Sequence, residues 1–121
     1  MPASVDAPEH LPQPTPAQME LPLVLDALSD PIRLAILHRY LVDAAGGTRS
    51  CGWVGIDRPK STLTHHFRVL REAGLLEQHQ QGLTRSSRVR VEDVEERFPG
   101  LLDLVIAWEV PAALMRVDVP A

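Results

Sequence analysis

Hydroxyl, imidazole and guanidinium side chains gather on one face of the segment from Arg58 to Glu77, which reads RPKSTLTHHFRVLREAGLLE. Leu63, Phe67 and Leu70 recur four and three residues apart, and this spacing predicts a helix with one buried stripe. In the major groove Ser and Thr can reach any base edge, and Arg favours guanine, so the polar face has the chemistry to contact duplex DNA. That face carries Ser61, Thr62, Thr64, His65, Arg68 and Arg71.

The ends of this helix are marked by residues with special backbone preferences. Pro59 favours a helix start because it keeps the residue before it out of the α conformation. Ser61 can cap the first turn through its hydroxyl, and Gly74 can take the left-handed conformation that ends a helix. The sequence therefore predicts a helix from about Lys60 to Ala73.

Positive charge is concentrated around this segment although the chain as a whole is acidic. The formal net charge is −4 over 121 residues. Residues 58–91 hold seven cations against two anions, a net charge of +5, whereas the remainder holds 5 cations and 14 anions, a net charge of −9. A basic block inside an acidic protein is typical of a surface that meets phosphate.

A β-hairpin is predicted directly after the helix. Its first strand would run from Leu75 to His79, and its loop would be centred on Gln80 to Arg85 with Gly82 as the turn residue. The second strand, Ser87 to Val91, alternates valines with Arg88 and Arg90. A cationic hairpin behind a recognition helix is a wing, and Arg85, expected at its tip, is the strongest candidate for a wing contact.

The other segments are predicted to support these two elements within one domain, residues 19–115. Residues 1–18 hold many prolines and are expected to form a disordered arm, and residues 116–121 a flexible tail. A helix should begin near Met19, and a second helix should start at Ser29-Asp30-Pro31, with Asp30 or Ser29 as its cap and Pro31 in its first turn. Leu101 to Met115 is predicted to be a final helix that is apolar nearly all round, so a second copy of the chain is its simplest cover.

Three stretches, Ala27 to Leu37, Lys60 to Glu77 and the hairpin to Val91, resemble the ArsR/SmtB family of bacterial winged helix-turn-helix repressors. The Ala-Leu-Ser-Asp-Pro-x-Arg and Ser-Thr-x-Thr-His-His motifs carry most of the resemblance. It implies a mainly α fold with a β-hairpin wing. It also implies a homodimer formed through the first and last helices. This homodimer binds a palindromic operator and releases it in response to an inducer.

The metal sites of that family are not reproduced. One family site uses a Cys-x-Cys pair before the recognition helix, where this chain has Cys51 alone. Cys51 is more simply interpreted as a small packed residue than as a metal ligand. The other uses Asp, His and Glu on the terminal helix, where this chain has Asp103 and Glu109 but no histidine. We therefore predict no cofactor, although a metal ion in an unfamiliar arrangement stays open. His66, beside Phe67, is expected to be a buried structural histidine.

These observations favour a sequence-specific, dimeric regulator of transcription on double-stranded DNA. Phosphate or base contacts are expected from Lys60, Ser61, Thr62, Thr64, His65, Arg68, Arg85 and Arg88. The alternative is a winged-helix module or co-regulator that needs a protein partner. The acidic overall charge and the apolar terminal helix favour this alternative. No nucleotide-binding loop or catalytic constellation argues for an enzyme. With a single cysteine and no secretory or membrane-spanning segment, a cytoplasmic location is expected.

Overall fold

Three helices that pack on one another and a small antiparallel sheet that two of them contact form the centre of the fold. A computed structural model of the protein describes residues 9–116. Its helices are α1 (Leu21–Leu28), α2 (Pro31–Val42), α3 (Lys60–Glu72), α4 (Val91–Arg97) and α5 (Leu101–Ala107). Its strands are β1 (Glu9–His10), β2 (Arg49–Ser50), β3 (Leu76–Gln81) and β4 (Thr84–Val89). Short 3-10 helices span Pro16–Gln18, Cys51–Val54 and Ala112–Leu114. The predicted winged helix-turn-helix fold is confirmed, and no helix in this part of the chain is long and apolar enough to cross a bilayer.

Helix α2 begins where the sequence predicts it. The Asp30 carboxylate accepts hydrogen bonds from the backbone N–H groups of Ile32 (2.7 Å) and Arg33 (3.3 Å), and Pro31 occupies the first helical position. These bonds satisfy donors that the first turn of a helix leaves free. From this start α2 buries four large side chains in the core: Ile32, Ile36, Leu37 and Tyr40.

Helix α3 ends in a Schellman motif that turns the chain directly into β3. Gly74 has φ +93° and donates to the carbonyl of Arg71 (3.0 Å), and Leu75 donates to the carbonyl of Leu70 (3.0 Å). The predicted role of Gly74 is therefore confirmed. The predicted cap is wrong: Pro59 occupies the N-cap position and Ser61 lies inside the first turn, because the helix already starts at Lys60.

The sheet has the strand order β1-β3-β4-β2, and all its pairs are antiparallel. Strands β3 and β4 are joined by a two-residue turn, Gly82-Leu83. Gly82 has φ +60°, which fits a hairpin turn whose first residue takes a positive φ and is therefore normally glycine. This turn is tighter than the predicted loop from Gln80 to Arg85. Arg85 therefore lies within β4, opposite Gln80, and not at the tip.

The predicted disordered arm is partly wrong. Residues 1–8 lie outside the described part of the chain, but residues 9–18 are placed: β1 pairs with the edge of β3, and the N–H of Leu11 donates to the carbonyl of Gln78 (3.0 Å). Prolines lack an N–H but keep their carbonyls, and two arginines use them. Arg71 donates to Pro12 (3.0 Å) and Arg90 to Pro14 (2.6 Å). An edge strand tolerates such a segment because only one side of it must pair.

The predicted final helix from Leu101 to Met115 is also wrong in length. Helix α5 stops at Ala107, and Trp108 is extended (φ −72°, ψ 135°). Pro111 disfavours the α conformation in the residue before it, so a helix could not have continued through this point without strain. The chain instead returns to the centre of the fold, where Met115 forms a β-bridge with Ile56. Of the predicted tail, residues 117–121 lie outside the described residues.

Candidate nucleic-acid interface

One face of α3 is exposed to solvent and carries most of the residues singled out from the sequence. At 100° per residue these exposed positions span about 140° of the helix circumference, with Arg68 near the middle. Thr62 is half-buried at the flank of this face. The exposed residues are Lys60, Ser61, Thr64, His65 and Arg68, with Glu72 at the C-terminal end of the same face. We call the first five residues the reading face.

Local hydrogen bonds fix part of the reading face. Nη2 of Arg68 lies 3.1 Å from Nδ1 of His65. A guanidinium can only donate, so Nδ1 is the acceptor and the other ring nitrogen of His65 points away from this contact as a donor. The Thr64 hydroxyl donates to the carbonyl of Lys60 (2.9 Å) and keeps its oxygen available as an acceptor.

The opposite side of α3 holds the helix against the core. Phe67 and Leu70 are buried, as the predicted stripe requires, and Leu63 is half-buried. His66 is buried as well, which confirms its predicted structural character. Its Nδ1 lies 3.3 Å from Nη1 of Arg33, and burial lowers the pKa of its imidazole. The reading face is therefore presented by a helix whose other sides are fixed.

One side of the β3–β4 hairpin faces the edge of α3 that carries Lys60 and Thr64. Gln78, Ser87, Gln80 and Arg85 form cross-strand pairs on the side that turns toward the core. Near the turn this side extends beyond the core, and there Nε of Arg85 donates to Oε1 of Gln80 (2.9 Å). Arg85 is thus directed toward α3.

An open cleft of about 780 Å³ separates the hairpin from α3. Its third wall is the segment from Ser50 to Arg58 together with Arg116. We call this space the wing cleft. Its lining includes four cations, namely Arg58, Lys60, Arg85 and Arg116, and five apolar side chains, namely Val54, Ile56, Leu63, Phe67 and Leu83.

Arg88 is separated from the other predicted contact residues. It lies in cross-strand register with Glu77, on the hairpin side opposite Arg85. Its Nε is 2.7 Å from Oε1 of Glu77, and this contact raises the pKa of the Arg88 guanidinium and, against the cost of burial, lowers the pKa of the Glu77 carboxyl. Part of its charge is therefore neutralised within the hairpin.

Two further arginines of the basic block are structural. Arg90, predicted on the second strand of the hairpin, follows β4 and is buried, and it contacts Asp93 (3.1 Å) as well as the carbonyl of Pro14. Arg71 is half-buried and donates to Oε1 of Gln78 (2.6 Å) as well as to Pro12. The sequence does not reveal this, because one partner of each arginine, Pro14 or Pro12, is 76 or 59 residues away along the chain.

Comparison with known proteins agrees with this geometry. The family model of a helix-turn-helix domain matches residues 28–79, which run from the end of α1 into β3. The uncharacterized HTH-type transcriptional regulator YceK of Bacillus subtilis (strain 168) is 37% identical over 82 residues, which cover 66% of this chain and 80% of that protein. The chain belongs to the family of helix-turn-helix transcriptional regulators.

The crystal structure of an ArsR family transcriptional regulator has the same fold as this regulator. The TM-score is 0.54 at 24% sequence identity, and the match covers 80% of this chain and 99% of the other. The resemblance to the ArsR/SmtB family is thereby confirmed for the fold. A helix-turn-helix domain in a transcriptional regulator implies binding to DNA.

Residues 9–116 of the regulator include no group of three or more His, Cys, Asp or Glu side chains that could hold a metal ion. Cys51, the position nearest to a family metal site, is half-buried and packs against other groups. Its Sγ lies 3.3 Å from the Ser87 hydroxyl and 3.5 Å from Nε2 of Gln78. Burial raises the pKa of the Cys51 thiol, so the nucleophilic thiolate is disfavoured.

Sequence reasoning missed two residues of the wing cleft. Arg58 was counted in the basic block but not among the contact residues, although it is exposed and lines the cleft beside Lys60. Arg116 was assigned to the tail, yet its backbone N–H donates to the carbonyl of Gly55 (3.0 Å). Its cationic side chain was the only sequence feature that could have pointed to this site.

Proposed function

We propose that this regulator is a homodimer that recognises a palindromic operator in double-stranded DNA and acts as a repressor. The single observation that carries the proposal is that the reading face on α3 borders the wing cleft, where its Lys60 and Thr64 lie across from Arg85 on the hairpin. Repression would follow from binding alone, because a protein bound over a promoter excludes RNA polymerase and needs no additional surface that contacts the polymerase.

The dimensions of α3 support its insertion into the major groove. Its 13 residues span about 20 Å, and a helix with side chains fits a groove that is about 12 Å wide. Thr64, His65 and Arg68 would then contact base edges, and Lys60 and Ser61 the flanking phosphates. The half-buried Thr62 would contribute at the edge of the interface.

The wing cleft would straddle the phosphate strand between the major groove and the neighbouring minor groove. Arg58 and Lys60 line it on one side and Arg85 on the other, so cations face the strand from both directions. Arg88, on the far side of the hairpin and paired with Glu77, would contribute less than Arg85.

Apolar residues on α1 and α5 support the homodimer. Both helices pack against α2 and leave large side chains in solvent. Leu104 is the most exposed of them, at 71%. A second copy would cover these residues and place two reading faces on two half-sites of a palindrome. The exposed set is Leu21, Leu23 and Leu25 on α1 with Leu104 and Ile106 on α5.

The test is fluorescence anisotropy with a duplex from the regulator's own promoter region and a scrambled duplex of equal length and composition. Arg68→Ala and Thr64→Ala should weaken binding to the promoter duplex by about tenfold, since a good base contact contributes about 1–3 kcal/mol of discrimination. Binding to the scrambled duplex should change less.

Arg85→Ala serves as the contrasting variant, because a phosphate contact is not specific for sequence. It should weaken binding to both duplexes alike and lower the slope of log affinity against log salt by about one. The proposal fails if the unmodified regulator binds both duplexes equally at about 0.15 M salt, or if neither Arg68→Ala nor Thr64→Ala changes its preference.

A further inference from the structure

The wing cleft has the size and position of a ligand site. At about 780 Å³ it falls in the range of pockets that hold small molecules, roughly 300–1,000 Å³. It opens between two elements, α3 and the hairpin, whose separation the proposed DNA complex depends on.

Its lining combines two chemistries. The apolar surface that is open to the cleft belongs mainly to Leu63, which is half-buried, and to Leu83, which is exposed, because Val54, Ile56 and Phe67 beneath them are at most 3% exposed. Around this apolar surface stand four cations, Arg58, Lys60, Arg85 and Arg116, and the one carboxylate among the lining residues is Asp57.

A DNA phosphate strand matches only part of this lining. Phosphate oxygens are satisfied by the cations, but a sugar-phosphate strand has no large apolar group to place on Leu63 and Leu83. A molecule with one anionic head and an apolar body satisfies both, because the head meets the cations while the body leaves water.

We propose that the wing cleft binds a small organic anion with an aliphatic or aromatic body, a carboxylate of medium size being the simplest example. Its head would lie near Arg85 and Lys60, and its body would cover Leu63 and Leu83. Because those two cations are also proposed to face phosphate, the bound anion excludes DNA. The competition rests on the proposed function, whereas the binding site itself does not.

The experiment begins with calorimetry of the full chain without DNA, using butanoate, hexanoate and octanoate as probes. Affinity should rise with chain length, by at most about fourfold for each methylene that is fully buried. One octanoate should bind per chain. Octanol, which lacks the charge, and inorganic phosphate, which lacks the apolar body, should each bind at least about tenfold more weakly.

Two variants of the same hairpin locate the site. Arg85→Ala should weaken octanoate binding by about tenfold, as expected for a lost charged hydrogen bond. Arg88→Ala removes an equal charge from the opposite side of the hairpin and should leave octanoate binding within about twofold of the original. Thermal melts of both variants verify that each is folded.

The outcomes separate this inference from the proposed function. Octanoate binding that depends on Arg85, with octanoate weakening the affinity for the promoter duplex, supports both. Octanoate binding by a regulator that recognises no duplex would leave the cleft assignment intact and refute the proposed function. Equal binding of phosphate and octanoate, binding that ignores Arg85→Ala, or octanoate binding without any effect on DNA affinity would overturn the inference.

Discussion

Nη1 of Arg33 lies 3.3 Å from Nδ1 of His66, and this contact joins α2 to the buried side of α3. The same guanidinium donates to the carbonyls of Ala27 (2.7 Å) and Asp26 (3.3 Å) at the end of α1. One side chain therefore connects the first three helices. Because Arg33 can only donate, the contact requires an unprotonated Nδ1 on His66.

Stability should consequently fall in mild acid. Burial, with smaller contributions from Arg33 and His65, lowers the folded-state pKa of His66 although Asp30 opposes the shift. Below the ordinary histidine pKa of about 6.5 the unfolded chain binds a proton that the folded chain resists. The contribution of His66 is therefore complete above about pH 6.5 and is lost as the pH falls toward the folded-state pKa.

Urea unfolding at a series of pH values between 5 and 8 measures this effect. His66→Asn keeps an acceptor near the position of Nδ1 but does not titrate, so its free energy of unfolding should depend less on pH. His65→Asn, one residue away and exposed, should retain most of the original dependence, because His65 makes only one of the smaller contributions to the lowered pKa of His66. An unchanged pH profile in His66→Asn would contradict the assignment.

A second prediction concerns Gly74, which combines a left-handed backbone with close packing. A Cβ at this position would lie 2.7 Å from Cγ of Met19, a buried residue that anchors the N-terminal segment. Gly100 has a similar φ, +88°, but a Cβ there would meet nothing within 4 Å. Gly100→Ala should therefore cost only backbone strain, about 1–2 kcal/mol, and Gly74→Ala clearly more. Equal losses in urea unfolding would show that Met19 moves aside freely.

The elements that the sequence predicts correctly have local causes. Asp30-Pro31 and Gly74 fix the start of α2 and the end of α3 through bonds within a few residues. The reading face follows from helical period alone, since Phe67 and Leu70 define the buried side. Hence the sequence alone predicts most of the candidate contact residues.

The errors arise where distant groups decide. The polar strand from Gln78 to Gln81 has no alternation of apolar residues to set its register, so the sequence pattern places Arg85 at the tip instead of inside β4. Whether residues 9–18 are ordered depends on Arg71 and Arg90, whose proline partners are 59 and 76 residues away in sequence. The end of α5 is different, because its signal is local: the apolar pattern continues to Met115, but Pro111 disfavours the α conformation in the residue before it.

A third prediction tests how Arg71 holds the N-terminal segment. Arg71→Met would leave Oε1 of the buried Gln78 without its donor and would release the carbonyl of Pro12. We expect a loss of about 1–3 kcal/mol in the free energy of unfolding. Amide exchange at Leu11, which donates to Gln78 in the β1–β3 pair, should become faster. Arg68→Met, on the exposed side of the same helix, should change stability by no more than about 0.5 kcal/mol.

The fourth prediction tests the proposed dimer through the exposed face of α5. The double variant Leu104→Glu with Ile106→Glu places two carboxylates where a second copy would bury apolar surface, and an unpaired charge in such an interface is strongly unfavourable. Light scattering should then give the mass of one chain, 13.4 kDa, where the original protein gives twice that mass. Leu83→Glu is the matched control, because Leu83 is fully exposed at the hairpin turn, far along the chain from both α1 and α5. It should remain dimeric, although its DNA affinity should fall as a carboxylate approaches phosphate.

The double variant should lose affinity for a palindrome because two half-sites are no longer bound together, and it should keep the weaker affinity of one reading face for a single half-site. A single-chain mass for the unmodified regulator, or an intact dimer in the double variant, would show that these helices do not form the interface.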